Sequence, residues 1–152
     1  PDTQFDIIFG NGSGDLEVVI LAACQTAQKG VWDNTGYFHA RDRYGKLNTW
    51  LGFHGNSYDS NADSNRIKKF AKNSFFNGLG DNWLDEMYWD PSGSNNTQCP
   101  TAIIFCENTS DCDRQFDYGG FDDRFKVKNS DVKSWSTYYY LKNCNPASGS
   151  KL

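Results

Sequence analysis

One cysteine stands apart from the other four in this chain, at the end of its longest apolar run. Leu16 to Ala27 reads Leu-Glu-Val-Val-Ile-Leu-Ala-Ala-Cys-Gln-Thr-Ala, so Cys24 falls where a buried strand would deliver one thiol to its own carboxyl tip. A thiol placed there does nucleophilic chemistry when an imidazole takes its proton and later returns it to the leaving group. The two histidines of the chain are His39 and His54. His54 is followed by Gly55 and flanked by Trp50, Phe53 and Tyr58, while His39 lies between Phe38 and Ala40. Both also fit a packed, hydrogen-bonded histidine, and Cys24 also fits a small buried hydrophobe.

The remaining cysteines, Cys99, Cys106, Cys112 and Cys144, lie in the last third of the chain with six, five and thirty-one residues between successive members. No Cys-x-x-Cys pair occurs among them, which argues against zinc and for two disulfides of open connectivity in an oxidising compartment. Sequons at Asn11, Asn95 and Asn108 agree with secretion. Asp59, Asn61 and Asp63 alternate like the front of a calcium loop, but Ser64 and Phe70 stand where its turn Gly and closing Glu would fall. A capped helix start explains the same letters. Acidic residues between Asp111 and Asp123 read as a solvated loop. No cofactor-binding motif is present, and no metal is expected.

A net charge of −4 gives no basic stripe for a phosphate backbone, so nucleic acid is excluded as a partner class. No apolar run approaches the roughly 20 residues of a membrane span. Aromatic residues make up 16% of the chain, so core and binding surfaces are expected to be built from rings.

The elements that must position Cys24 follow from pattern. Phe5 to Phe9 predicts a short strand and Gly10 to Gly14 a turn into the Cys24 strand, whose unalternating Val18 to Leu21 suits a sheet covered on both faces. In α/β sheets the carboxyl ends of such strands are where ligands bind. Val31 to Phe53 is rich in aromatics and expected to roof that end, closing with the run Leu47 to Phe53. A helix capped by Asp63 or Ser64 is predicted to bury Ile67, Phe70, Ala71 and Phe75 and to end at Gly78 and Gly80. Asp81 to Asp90 predicts a short helix, Thr101 to Cys106 a buried strand, Asn108 to Arg124 a loop and Trp135 to Leu141 a last strand. One α/β domain over residues 1–144 is expected, followed by a loose tail over 145–152.

Ala22-Ala23-Cys24-Gln25-Thr26-Ala27 after a hydrophobic strand resembles the nucleophile segment of caspase-like (clan CD, CHAT-type) cysteine peptidases. A wider match, adding Trp32, Leu51-Gly52-Phe53-His54-Gly55, Gly78-Leu79-Gly80 and Trp83, is similar to a family of secreted prokaryotic domains that share an Ala-Cys-Gln strand end and a later Gly-Phe-His segment. It spans about Asp15 to Phe105. The resemblance implies a caspase-like, mostly parallel sheet with flanking helices, Cys24 as nucleophile and a peptide substrate, in an active peptidase or an inactive relative. His54-Gly55 copies the His-Gly pair of those peptidases, but there the pair precedes the cysteine strand, and here it follows Cys24 by thirty residues. The working histidine is then expected upstream of Pro1, on a preceding or separately cleaved segment, unless His54 substitutes for it or no catalysis occurs. A sheet lacking its leading strands would be completed by a partner chain, which gives the non-enzymatic alternative: an extracellular, filament-forming or surface-layer subunit assembled by strand sharing. A carbohydrate-binding module using exposed rings is a third expectation.

Overall fold

The computed structural model describes residues 18–28, 47–57, 61–89, 98–120, 135–141 and 144. Its best-buried strand, β3 (Pro100–Cys106), has all seven residues buried, as its continuous apolar run requires. Three more strands, β1 (Val18–Ile20), β2 (Thr49–Phe53) and β4 (Trp135–Tyr140), complete a sheet ordered β1-β2-β3-β4. The described helices are α1 (Asn61–Asn73), α2 (Leu79–Met87) and α3 (Thr109–Tyr118). The molecule is therefore a mixed α/β fold.

The expected mostly parallel sheet is corrected within the described residues. Only β1 and β2 run parallel, whereas β2–β3 and β3–β4 are antiparallel. The register shows why. Phe53, the last residue of β2, lies opposite Pro100, the first of β3, so after α1 and α2 the chain re-enters the sheet at the end where it left. The Cys24 strand is also shorter and more open than its letters suggest, with Ile20 40% exposed and Ala22 to Gln25 exposed.

Alternation along the strands divides the core in two. Leu51, Phe53, Ala102 and Ile104 face the helices, where they meet Phe70, Leu79, Trp83, Leu84 and Met87. Val19, Trp50, Ile103 and Phe105 point to the other face and pack with Ala27, Leu47 and partly buried Leu21 and Tyr138. Each fully buried side chain of this size contributes about 1.5–3 kcal/mol. Phe53, Phe70 and Trp83 form a ring cluster on the helical side, with centroids 5.3 and 5.2 Å from Trp83. The Trp83 indole N–H donates to the Gly52 carbonyl at 3.0 Å, tying α2 to β2.

Helix α1 departs from its expected apolar face. Phe70 is buried, but Ile67 and Phe75 are 40% and 51% exposed, and the helix ends at Asn73 rather than at Gly78. Polar ties to α2 hold it instead. Lys69 Nζ lies 2.7 Å from Glu86 Oε1, Asn73 Nδ2 donates to the same oxygen, and Arg66 donates to the Glu86 carbonyl. Gly78 and Gly80 serve as the entry to α2, where a Cβ would run into Phe116 or its carbonyl. The loop expected from Asn108 is corrected as well, since Thr109–Tyr118 is helical. Asn108 Oδ1 accepts from the Asp111 N–H, and Asp111 Oδ2 accepts from Glu107 N–H, which caps the helix from both sides.

Two disulfides close the connectivity left open by the sequence. Cys99–Cys144 joins the residue before β3 to the segment after β4, and Cys106–Cys112 joins the other end of β3 to α3. The strand expected over Phe5 to Phe9, the rings Trp32, Tyr37, Phe38 and Tyr44, and the tail over 145–152 lie outside the described residues, as does His39.

Candidate thiol site at the carboxyl end of the parallel strands

Because β1 and β2 run parallel, their carboxyl ends lie side by side, which brings Cys24 and the His54-Gly55 pair to one edge of the sheet. The Leu21 N–H donates to the Leu51 carbonyl at 2.9 Å and carries the pairing one residue past β1. The chain then turns sharply. Gln25 adopts φ 58°, a left-handed conformation that costs a residue with a Cβ about 1–2 kcal/mol. Its N–H donates to the Gly55 carbonyl at 2.9 Å, and the Ala27 N–H donates to the Phe53 carbonyl at 3.0 Å. The Trp50 indole N–H donates to the Thr26 carbonyl at 3.0 Å. This ring belongs to the stretch expected to roof the site, and it anchors the turn from below.

Cys24 sits at the tip of that turn, exposed and outside both disulfides. The Ser57 N–H donates to its sulfur at 3.3 Å, and the thiol lies 3.5 Å from the Ser57 carbonyl. A fixed amide dipole is thus aimed at the atom on which a nucleophile's charge resides.

His54 is 2% exposed. Its N–H donates to the Cys99 carbonyl at 3.2 Å, and its Nδ1 lies 2.7 Å from Thr101 Oγ1. Burial holds the imidazole below its ordinary pKa, so it is neutral near pH 7. The side-chain partner of Cys24 is Ser57 and that of His54 is Thr101, and the described residues contain no hydrogen bond between thiol and imidazole.

An imidazole nitrogen of His54 and the sulfurs of Cys99 and Cys144 all lie within 4.8 Å of one another. Zinc takes cysteine as thiolate, and the disulfide removes that form from both sulfurs, so the group is an imidazole packed against a disulfide. Of the calcium candidates, Asp59 lies outside the described residues and Asn61 begins α1. Asp63 is buried in the first turn of that helix, where its Oδ1 accepts from Gln98 Nε2 at 3.3 Å. Of the sequons, Asn11 and Asn95 lie outside the described residues, and Asn108 is the exposed cap of α3, its Oδ1 accepting from the Asp111 N–H.

No family model, curated protein or solved structure matches this chain. The site therefore rests on its own geometry. No described helix is long and apolar enough to cross a membrane.

Four participants escape a reading of the letters alone: Ser57, Thr26, Gly52 and Thr101. Ser57 acts through its backbone, which no residue type advertises. Thr26 and Gly52 carry a weak signal, because a hydroxyl two residues after the cysteine and a glycine two before the histidine become meaningful only once the parallel pairing sets them face to face.

Proposed function

We propose that this chain is a secreted caspase-like domain in which Cys24 is the nucleophile for acyl transfer from a peptide carbonyl. The observation that carries the reading is the exposed Cys24 thiol at the carboxyl end of a parallel strand pair, on a left-handed turn bonded directly to Gly55 beside His54. In the proposed step an imidazole takes the thiol proton, the sulfur attacks the carbonyl carbon, negative charge forms on the oxygen, and the C–N bond breaks as the amine takes that proton from the imidazole, leaving a thioester that water then hydrolyses. The amide N–H groups of Cys24 and Gly55 have no acceptor among the described residues, which suits donors waiting for that oxygen. With Nδ1 held by Thr101, Nε2 is the His54 nitrogen left for proton transfer. Substrate must draw Nε2 to the thiol, or a preceding segment must supply another imidazole; an inactive relative would have neither. Two disulfides support an oxidising, extracellular setting.

A peptidyl electrophile bearing a thiol-reactive ketone tests the reading. It labels Cys24 in the wild-type chain, fails with Cys24→Ala, and slows by about 100-fold or more with His54→Ala if His54 is the base. Equal labelling of the native and the unfolded chain contradicts it.

The second reading, an extracellular subunit assembled by strand sharing, is favoured by the outer strands. Among the described residues β1 and β4 each pair with one neighbour, and they carry exposed Ile20, Trp135 and Tyr140. Light scattering at micromolar concentration separates the two, since a stable monomer contradicts obligatory strand sharing.

A further inference from the structure

The geometry points to Thr26 as the positioning residue of the Cys24 thiol, seated on Gly52; this deepens the nucleophile reading above and rests on it. The Thr26 hydroxyl reaches both arms of the turn. Its Oγ1 lies 2.8 Å from the Leu21 carbonyl and 2.9 Å from that of Ala23, between which it shares its proton, and it accepts from the Phe53 N–H at 3.4 Å. Its own carbonyl takes the Trp50 indole N–H. One side chain thus ties the end of β1, the residue before Cys24 and the last residue of β2 to a single atom.

The strained residue next to the thiol gives this clamp its purpose. Gln25 persists at φ 58° because its surroundings over-determine it, and those surroundings include the Gly55 carbonyl on one side and the Thr26 clamp on the other. Gly52 completes the arrangement. A Cβ on it would lie 2.6 Å from Thr26 Oγ1 and 3.1 Å from the Ala27 Cβ, so any side chain at this position pushes the turn off β2. The sulfur would then leave the Ser57 N–H, which comes from the segment after β2.

Valine matches threonine in shape but lacks the hydroxyl, and serine keeps the hydroxyl, so Thr26→Val and Thr26→Ser separate hydrogen bonding from packing. The test measures the rate of alkylation of Cys24 by iodoacetamide in the disulfide-intact native chain, together with amide hydrogen exchange at Gln25 and Ala27. Thr26→Ser is expected to stay within about twofold of wild type on both readouts, whereas Thr26→Val shifts the alkylation rate and speeds both amides by about fivefold or more, the factor expected for one lost hydrogen bond. Gly52→Ala reproduces the Thr26→Val result by displacing the hydroxyl rather than deleting it, and decides the matter if Thr26→Val does not fold. Amides of Ala102 to Ile104 in β3 report global stability and are expected to move less than Gln25 and Ala27. Unchanged exchange and alkylation in Thr26→Val, or equal acceleration across β3, overturns the proposal. Wild-type Cys24 that reacts no faster than in the unfolded chain overturns the nucleophile reading instead, while exchange still decides the role of Thr26.

Discussion

The Ser57 amide N–H donates to the Cys24 sulfur at 3.3 Å, joining the tip of the turn after β1 to the segment after β2. Parallel pairing makes this contact possible, because it places both carboxyl ends at one edge. The same edge receives the start of β3 and the end of β4, which the Cys99–Cys144 disulfide holds together behind His54. The thiol is therefore exposed on a platform tied from three directions.

The two disulfides contribute unequally. Cys99–Cys144 spans 45 residues and Cys106–Cys112 only 6, for which loop-closure entropy gives about 4 and about 2 kcal/mol respectively. Urea unfolding of Cys99→Ser/Cys144→Ser and of Cys106→Ser/Cys112→Ser measures both. The first double variant should lose more stability than the second, and the reverse order would place the main constraint at α3.

Stability should fall as pH drops through the range set by His54. Its folded-state pKa is depressed by burial, so the unfolded chain binds a proton that the native chain does not. Native stability is then full above the unfolded value of about 6.5 and declines as pH falls below it. Asp81 acts oppositely, because burial and the charges of Asp85 and Asp117 raise its pKa, and protonation in more acidic solution relieves that repulsion. Thermal melts between neutral and mildly acidic pH should show the decline in wild type, and His54→Gln should flatten it. A decline of equal slope in the variant assigns it to other groups.

Replacing Trp83 by Phe keeps a ring in the helical core but removes the indole N–H bond that ties α2 to the Gly52 carbonyl. The lost hydrogen bond costs about 0.5–1.5 kcal/mol, and the smaller ring adds a cavity. Denaturant unfolding is expected to register a loss of that order. A neutral result would mean that water replaces the indole N–H.

How much of this was legible in the letters depends on whether burial alone fixed an element. Pro100–Cys106 could be read as a strand because its unbroken apolar run has no other use, and Trp83, Leu84 and Met87 because their spacing puts them on one helical face. Thr109–Tyr118 reads as a loop in the letters because only Asp111, Cys112 and Gln115 are buried on it, and a disulfide replaces the apolar stripe. The signal that could have found it is the Asn108 cap three residues before Asp111. For the site, Cys24 and His54-Gly55 were visible by type, but their adjacency was not, since thirty residues of sequence say nothing about which strands pair. The antiparallel return of β3 was equally hidden. Its direction depends on two intervening helices rather than on any residue within it.

The central claim is that the fold turns Cys24 into a nucleophile, and the rate of its alkylation tests this most directly. Cys24 is the one cysteine outside the disulfides, so a single labelling event reports it. Iodoacetamide should modify Cys24 in the native, disulfide-intact chain about tenfold or more faster than in the same chain unfolded in urea, with Cys24→Ala taking no label. A native rate equal to or below the unfolded rate would contradict the account and leave Cys24 as an exposed but ordinary thiol.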